Sequence, residues 1–297
     1  MSALAVYRNF REDSTRWDGL AARPDDVVVT TPVKAGTTWL QTICAMLIFG
    51  SPELPAPLAA LSPWVDSKME PEDALHRRLA AQQHRRVLKS HTPLDGLPER
   101  AGVRYVTGAR DPLDIAVSFY HQMSNLDLAR LSEKLRLPVR AEDGPLVLPP
   151  LREWLTAWVT QDVSDVRAQS ETLPGVLHHI QQSWLRRDHP QVLLVHYADL
   201  SADLDAQMRR IAAHLDIEVP EARWPGLVEA ATFAHMRRRA DQLAPGEPFK
   251  DRTSFFRQGT SGAGAAVLSE PELLRYRARV RELTSPDLAA WLLRQPG

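Results

Sequence analysis

Lys34, Gly36, Thr37 and Thr38 are the first residues of the chain whose types and spacing could do chemistry. They follow Val27-Val28-Val29-Thr30-Thr31, a β-branched run that reads as a buried strand, and they open a largely apolar stretch, 37–49, that reads as a helix. A strand, a short glycine loop and a helix N-terminus make an anion site: Gly36 lets backbone approach a ligand, the helix end carries partial positive charge, and Lys34 adds a full one. A tight turn with a solvated lysine is the other reading of so short a motif. The lysine stands before the glycine, so the kinase signature G-x-x-x-x-G-K-S/T is missing, and no acidic residue clearly completes a magnesium site. The loop therefore points to phosphate without pointing to Mg-ATP.

His91 is the second candidate. Imidazole titrates near neutrality, so its neutral form can take a proton at working pH. The chain has ten histidines; His91 is set apart by its place at the end of a candidate strand, just after Lys89 and just before Pro93. Lys89 could share the site or be a solvated strand-end lysine. His178 and His179 lack a third ligand at metal-site spacing and read as a helix surface. Arg237, Arg238 and Arg239 read as a solvated helix end, and Trp154 and Trp158 as core.

These residues need a scaffold. Arg86 to Lys89, Val103 to Thr107 and Gln191 to Tyr197 are further strand candidates. Asp111 is a natural N-cap, with Pro112 at the first helical position and Asp114 completing a box-like signal. An amphipathic helix runs through Leu204, Met208, Ile211, Ala212 and Leu215. Strands alternating with helices predict an α/β fold: a single domain over 1–297, with a central, mostly parallel sheet flanked by helices. Strand order is open at this stage. Residues 126–150, rich in proline and charge, break the rhythm and read as an excursion or acceptor-site lid, with a solvated insertion as the alternative; 243–264 is a second irregular stretch.

The 297 residues are 44% apolar and 25% charged, with net charge −1, so no global positive field favours nucleic acid and any anion site must be local. The single cysteine, Cys44, excludes an intramolecular disulfide and suits a reducing compartment. The N-terminal stretch turns charged before a signal-peptide core could form, and the longest apolar run, 39–50, is too short for a membrane span. The expectation is a cytoplasmic protein without a membrane partner.

Four blocks in order carry a family resemblance. Val29-Thr-Thr-Pro-Val-Lys-Ala-Gly-Thr-Thr-Trp39 resembles the 5′-phosphosulfate loop of the cytosolic-type sulfotransferases that use 3′-phosphoadenosine 5′-phosphosulfate (PAPS), usually written T-Y-P-K-S-G-T-T-W. Lys89-Ser-His-Thr-Pro93 is similar to that family's K-x-H-x-P segment, 104–121 to its 3′-phosphate block, and Phe255-Phe-Arg-Gln-Gly259 to its F-x-R-K-G loop. The resemblance spans roughly residues 25–260 and implies a P-loop-like 5′-phosphosulfate loop. It implies sulfuryl transfer from PAPS to a hydroxyl of a small acceptor, with adenosine 3′,5′-bisphosphate (PAP) as product and no metal.

By position, the resemblance assigns Lys34, Ala35, Gly36, Thr37 and Thr38 to the 5′-phosphosulfate. It assigns Arg110, Ser118, Phe256, Arg257, Gln258 and Gly259 to the 3′-phosphate side. Trp39 and Phe233 would sandwich the adenine, with Tyr197 and Thr232 lining the nucleotide. His91 becomes the base, Lys34 the cation for the leaving phosphate, Lys89 an assistant for the transferring sulfuryl, and Ser118 a restraint on Lys34. Four departures stand out: Pro32-Val33 for Tyr-Pro, Ala35 for serine, Gln258 for lysine, and no K-x-x-x-T-V dimerisation motif after Gly259. The oligomeric state is thus open. A P-loop small-molecule kinase using Mg-ATP and a nucleotide-binding pseudoenzyme or regulatory module are the rival readings. The acceptor is undefined between phenol, alcohol and natural product.

Overall fold

The computed structural model describes residues 3–137 and 146–294. Its centre is a parallel sheet of four strands: β1 (Val27–Thr30), β2 (Val87–Ser90), β3 (Arg104–Ala109) and β4 (Val192–His196), in the order β2-β1-β3-β4. The pairing aligns Thr30 with Ser90 and with Thr107, and Ala109 with His196, so all four strands end along one edge. The chain leaves β1 toward one side and β3 toward the other, which makes the β1–β3 boundary a switch point, where open α/β sheets bind their ligands.

Alternation along the strands covers both faces. Val27 and Val29 join Val87, Val106 and Val195 under the helices Thr37–Phe49, Leu204–His214 and Trp224–Ala231. Val28 turns the other way, toward Leu88, Tyr105, Leu75 and Leu79. A further core joins Pro112–Asn125, Leu151–Thr160, Leu173–Leu185 and Glu270–Leu283, and it contains Trp158 with Trp154 stacked on it at 6.4 Å. Among the described residues no helix is long and apolar enough to cross a membrane.

At the opposite edge, where the strands begin, Arg86 and Asp26 form a bidentate pair at 2.5 and 2.7 Å, both side chains almost fully buried. The flanking backbone starts the ladder: Val27 N donates to Arg86 O and Arg104 N to Asp26 O. Asp26→Ala leaves a buried guanidinium without its carboxylate, and a chemical denaturation midpoint should register a loss of about 3–5 kcal/mol.

Three local expectations are corrected. Asp114 does not close a capping box: its oxygens accept from Gly262 N at 2.8 Å and Gly264 N at 3.0 Å, pinning the late loop to the helix Asp111 caps. His179 is not surface but 2% exposed, with Nε2 3.2 Å from the Thr30 hydroxyl; His178 Nε2 lies 2.7 Å from Tyr7 Oη. Residues 126–150 are not wholly irregular. Leu128–Leu135 is a helix capped by Asp127, whose Leu131 packs on Leu126 and Phe249. The second irregular stretch is fastened to this one: Asp127 N donates to Pro248 O and Lys250 N to Asn125 O, both at 2.8 Å. Residues 138–145 lie outside the described ones.

Candidate functional site

Each strand delivers one part of the site at the shared C-terminal edge. The loop after β1 carries Lys34, the end of β2 carries Lys89 and His91, Arg110 follows β3, and Tyr197 follows β4. Together with the late loop they line an open cleft.

The β1 loop is wound tightly enough to need left-handed backbone at two residues, Lys34 with φ 63° and Gly36 with φ 99°. Gly36 also meets the Tyr197 ring, where a Cβ would sit 3.1 Å from Cδ2, so a side chain would be strained by the backbone and crowded by the ring. Gly36 is the N-cap of Thr37–Phe49 and has no side chain to occupy the amides of the first turn, which contains no acidic residue. Those N–H groups remain for an external anion. Ala35 turns away from the cleft into the core beside Ala109 and Leu113, and its amide donates to Pro32 O.

Lys34 is half-buried, and its Nζ rests 4.0 Å over the centre of the Phe255 ring. Ser118 lines the same cleft, yet the ammonium is parked on Phe255 rather than on that hydroxyl. Burial pushes the Lys34 pKa down to about 7, against the pull of Glu247 and with the push of Arg110, Lys89 and Arg257. An anion placed among these cations restores the charge of Lys34.

Arg110 is 9% exposed and lies 4.2 Å over the Tyr197 ring. Its Nη1 donates to Lys34 O and its Nη2 to Thr260 O, while Nε has no hydrogen-bond partner among the described residues. A buried N–H without a partner is costly, so Arg110 suits a nearby acceptor such as an anion. Arg257 stands close enough for Arg110 to depress its pKa, after the larger effect of burial. Gly259, with φ 69°, lies flat on Phe233; a Cβ there would approach the ring to 2.3 Å.

His91 is buried at the edge of the cleft, with Nδ1 2.8 Å from Thr31 O. A carbonyl only accepts, so Nδ1 carries the proton and donates, and Nε2 is left with its lone pair. Burial first and the Lys89 charge second hold the imidazole well below its ordinary pKa, hence neutral. Trp64 meets the ring edge-on at 5.0 Å and holds Lys89 Nζ 4.0 Å over its own face. Asp66 fixes the loop: its Oδ2 accepts from Ser90 Oγ, His91 N, Thr92 N and Thr92 Oγ1 at 2.8–3.1 Å.

The cleft therefore gathers Lys34, Gly36, Thr37, Thr38, Trp39, Lys89, His91, Arg110, Ser118, Tyr197, Phe233, Phe256, Arg257, Gln258 and Gly259. Thr232 is not among its lining residues; it caps Phe233–Arg238, and its hydroxyl donates to Glu229 O. Sequence reasoning missed Arg11, Gln122 and Glu247, which also line the cleft. Arg11 Nη2 lies 3.4 Å from Glu247 Oε1, and Gln122 Nε2 donates to Glu247 Oε2 at 3.3 Å. The one local signal was Pro245-Gly246-Glu247-Pro248, an acid pinned between prolines in a basic stretch. A second cavity adjoins the first, sharing Thr38, Lys89, Pro245 and Glu247.

A family model described as a sulfotransferase domain matches residues 24–270. A glycolipid sulfotransferase of Mycobacterium bovis (strain BCG / Pasteur 1173P2) is 37% identical over 309 residues, covering 98% of this chain and 94% of the relative. Human sulfotransferase 1C2 is 23% identical over 251 residues, covering 81% and 77%. Among solved structures, mouse sulfotransferase SULT7A1 complexed with PAP superposes with a TM-score of 0.68 at 17% identity, covering 94% of this chain and 91% of that one. Retinol dehydratase in complex with androsterone and inactive cofactor PAP gives 0.66 at 20%, covering 92% and 84%. At such identities the structural likeness speaks for the fold alone.

Proposed function

The chain belongs to the sulfotransferase family, and we propose that it sulfates a sugar hydroxyl of a glycolipid-like acceptor with His91 as the base. It is a PAPS-dependent transferase, and the kinase alternative gives way to the family match. The sulfur–oxygen bond to the 5′-phosphate breaks, one to the acceptor oxygen forms, and the hydroxyl proton passes to His91 Nε2. Such in-line transfers are driven by positioning and by neutralising the leaving group. In this reading the first-turn amides and Lys34 receive the 5′-phosphosulfate, and Arg110, Ser118 and Arg257 receive the 3′-phosphate. Trp39 and Phe233 hold the adenine.

The acceptor reading is carried by the adjoining cavity. Gln41, Ser62, Ser67, Glu70, Arg78 and Lys134 line it with hydrogen-bonding groups, and Leu58, Met69 and Leu243 add apolar wall. A polyhydroxylated head on an alkyl body uses both kinds of surface; a phenol uses one. The helix Leu128–Leu135 flanks this cavity through Lys134 and is the helical part of the proposed lid among the described residues. In the test, the enzyme and PAPS are given octyl β-glucoside, below its micelle concentration, or 2-naphthol, and sulfated products are quantified by mass spectrometry. The glucoside is expected to be the better substrate by kcat/KM. A preference for naphthol would overturn the sugar reading and leave the transferase assignment standing.

A further inference from the structure

We propose that Glu247 is the specificity-determining residue of the acceptor site, its carboxylate accepting a hydrogen bond from a second acceptor hydroxyl beside the one that reacts. This rests on the sugar reading and adds the group that would recognise the sugar.

Glu247 is 4% exposed and forms part of the wall between the two cavities. It lines the same cleft as Lys89 and His91, and it is the strongest opposite charge acting on Lys89. Its backbone is held from several sides: Lys134 Nζ donates to Gly246 O at 2.9 Å, Phe249 N donates to Glu247 O at 3.1 Å, and Phe249 packs on Leu126 and Leu131. The carboxylate is thus presented in a fixed place.

Its hydrogen-bonding capacity is far from filled. Oε2 accepts one bond from Gln122, and Oε1 has no hydrogen-bond partner among the described residues. Arg11 lies 3.4 Å from Oε1 without bonding alignment, and it divides its charge with Glu171, 3.7 Å away on the other side. Oε1 is closed off against Arg11, so a donor that a ligand brings would meet the free lone pair of Oε2. Lys34, Lys89 and Arg11 share the cleft with Glu247, so a cationic acceptor would meet three like charges. A neutral hydroxyl is the donor this balance admits. An acceptor with a single hydroxyl satisfies His91 and leaves Glu247 unmet, and sites that bond a substrate hydroxyl discriminate strongly against analogues lacking it.

The experiment compares kcat/KM for octyl β-glucoside with that for 2-naphthol, in the wild type and in Glu247→Gln, with a PAP thermal shift on each protein to report a folded donor site. The glucoside-to-naphthol ratio is expected to fall about tenfold or more in the variant. Should loss of the charge beside Arg11 unsettle the fold, Glu247→Asp keeps the charge, withdraws the oxygens by one carbon and should lower the same ratio. A wild type that uses the glucoside, with an unchanged ratio in the folded variants, would overturn this inference and spare the sugar reading. A wild type that turns over naphthol and not the glucoside would overturn both.

Discussion

His91→Ala should lower turnover by about 10²–10⁴-fold while PAP binding, followed by calorimetry, survives. The geometry separates the two functions. The imidazole is anchored through Nδ1 to Thr31 O, and its loop is tied to Asp66, while the anion-binding groups stand on the β1 loop and beyond β3. Removing the ring deletes a proton acceptor and leaves the first-turn amides and Arg110 in place. The pH profile gives an independent check. A base held below the ordinary imidazole pKa stays deprotonated as the solution is acidified through about pH 6.5, so the acid limb of kcat/KM should lie below that value. Were Lys89 moved to methionine, the second cause of the depression would go, and the limb should shift upward. A His91→Ala enzyme with most of its turnover would remove His91 from the mechanism.

The β1 unit was legible because its signals are local: three valines in a row, a glycine where the backbone turns left-handed, and an apolar helix. Asp111 and Pro112 were legible for the same reason, as cap and first-turn chemistry act within a few residues. Asp114 was misread because its partners, Gly262 and Gly264, are distant in sequence. His179 was misread in the same way; its burial depends on Thr30, on a strand the sequence could not order. The helix Leu128–Leu135 was hidden by the prolines that follow it. Its Leu131 and Leu135 become a packed helix face only because Phe249 supplies a surface, and packing, more than propensity, stabilises short helices. Arg11 gave no local sign, since a charged residue near the N-terminus is ordinarily solvated. Ordering the strands as β2-β1-β3-β4 places the loop after β1 between the ends of β2 and β3, which brings residues 34, 91 and 110 to one edge. That convergence was implied by family likeness, and the reason for it is the topology.

Arg110→Ala should weaken PAP far more than adenosine 5′-monophosphate, which lacks the 3′-phosphate. A charge-assisted contact to a desolvated phosphate is worth roughly 1.5–3 kcal/mol, or about 10–150-fold in Kd. The prediction is framed as a difference because Arg110 has two duties. Its Nη1 and Nη2 brace Lys34 O and Thr260 O, so any substitution loosens both loops and lowers affinity for every nucleotide somewhat. That shared loss cancels in the ratio of the two dissociation constants, and the contribution of the 3′-phosphate remains. Arg257 should show a smaller selective loss, since it is only partly buried and its charge is better screened. Lys34 supplies the contrast. With burial holding its pKa near 7, it takes up a proton when an anion binds, so affinity for both nucleotides should fall as pH rises above neutrality. Isothermal titration of both ligands against wild type and Arg110→Ala at two pH values separates these effects. Equal weakening of the two nucleotides by Arg110→Ala would mean that the orphaned Nε faces some other anion, and the 3′-phosphate would then have to be held from the late loop alone.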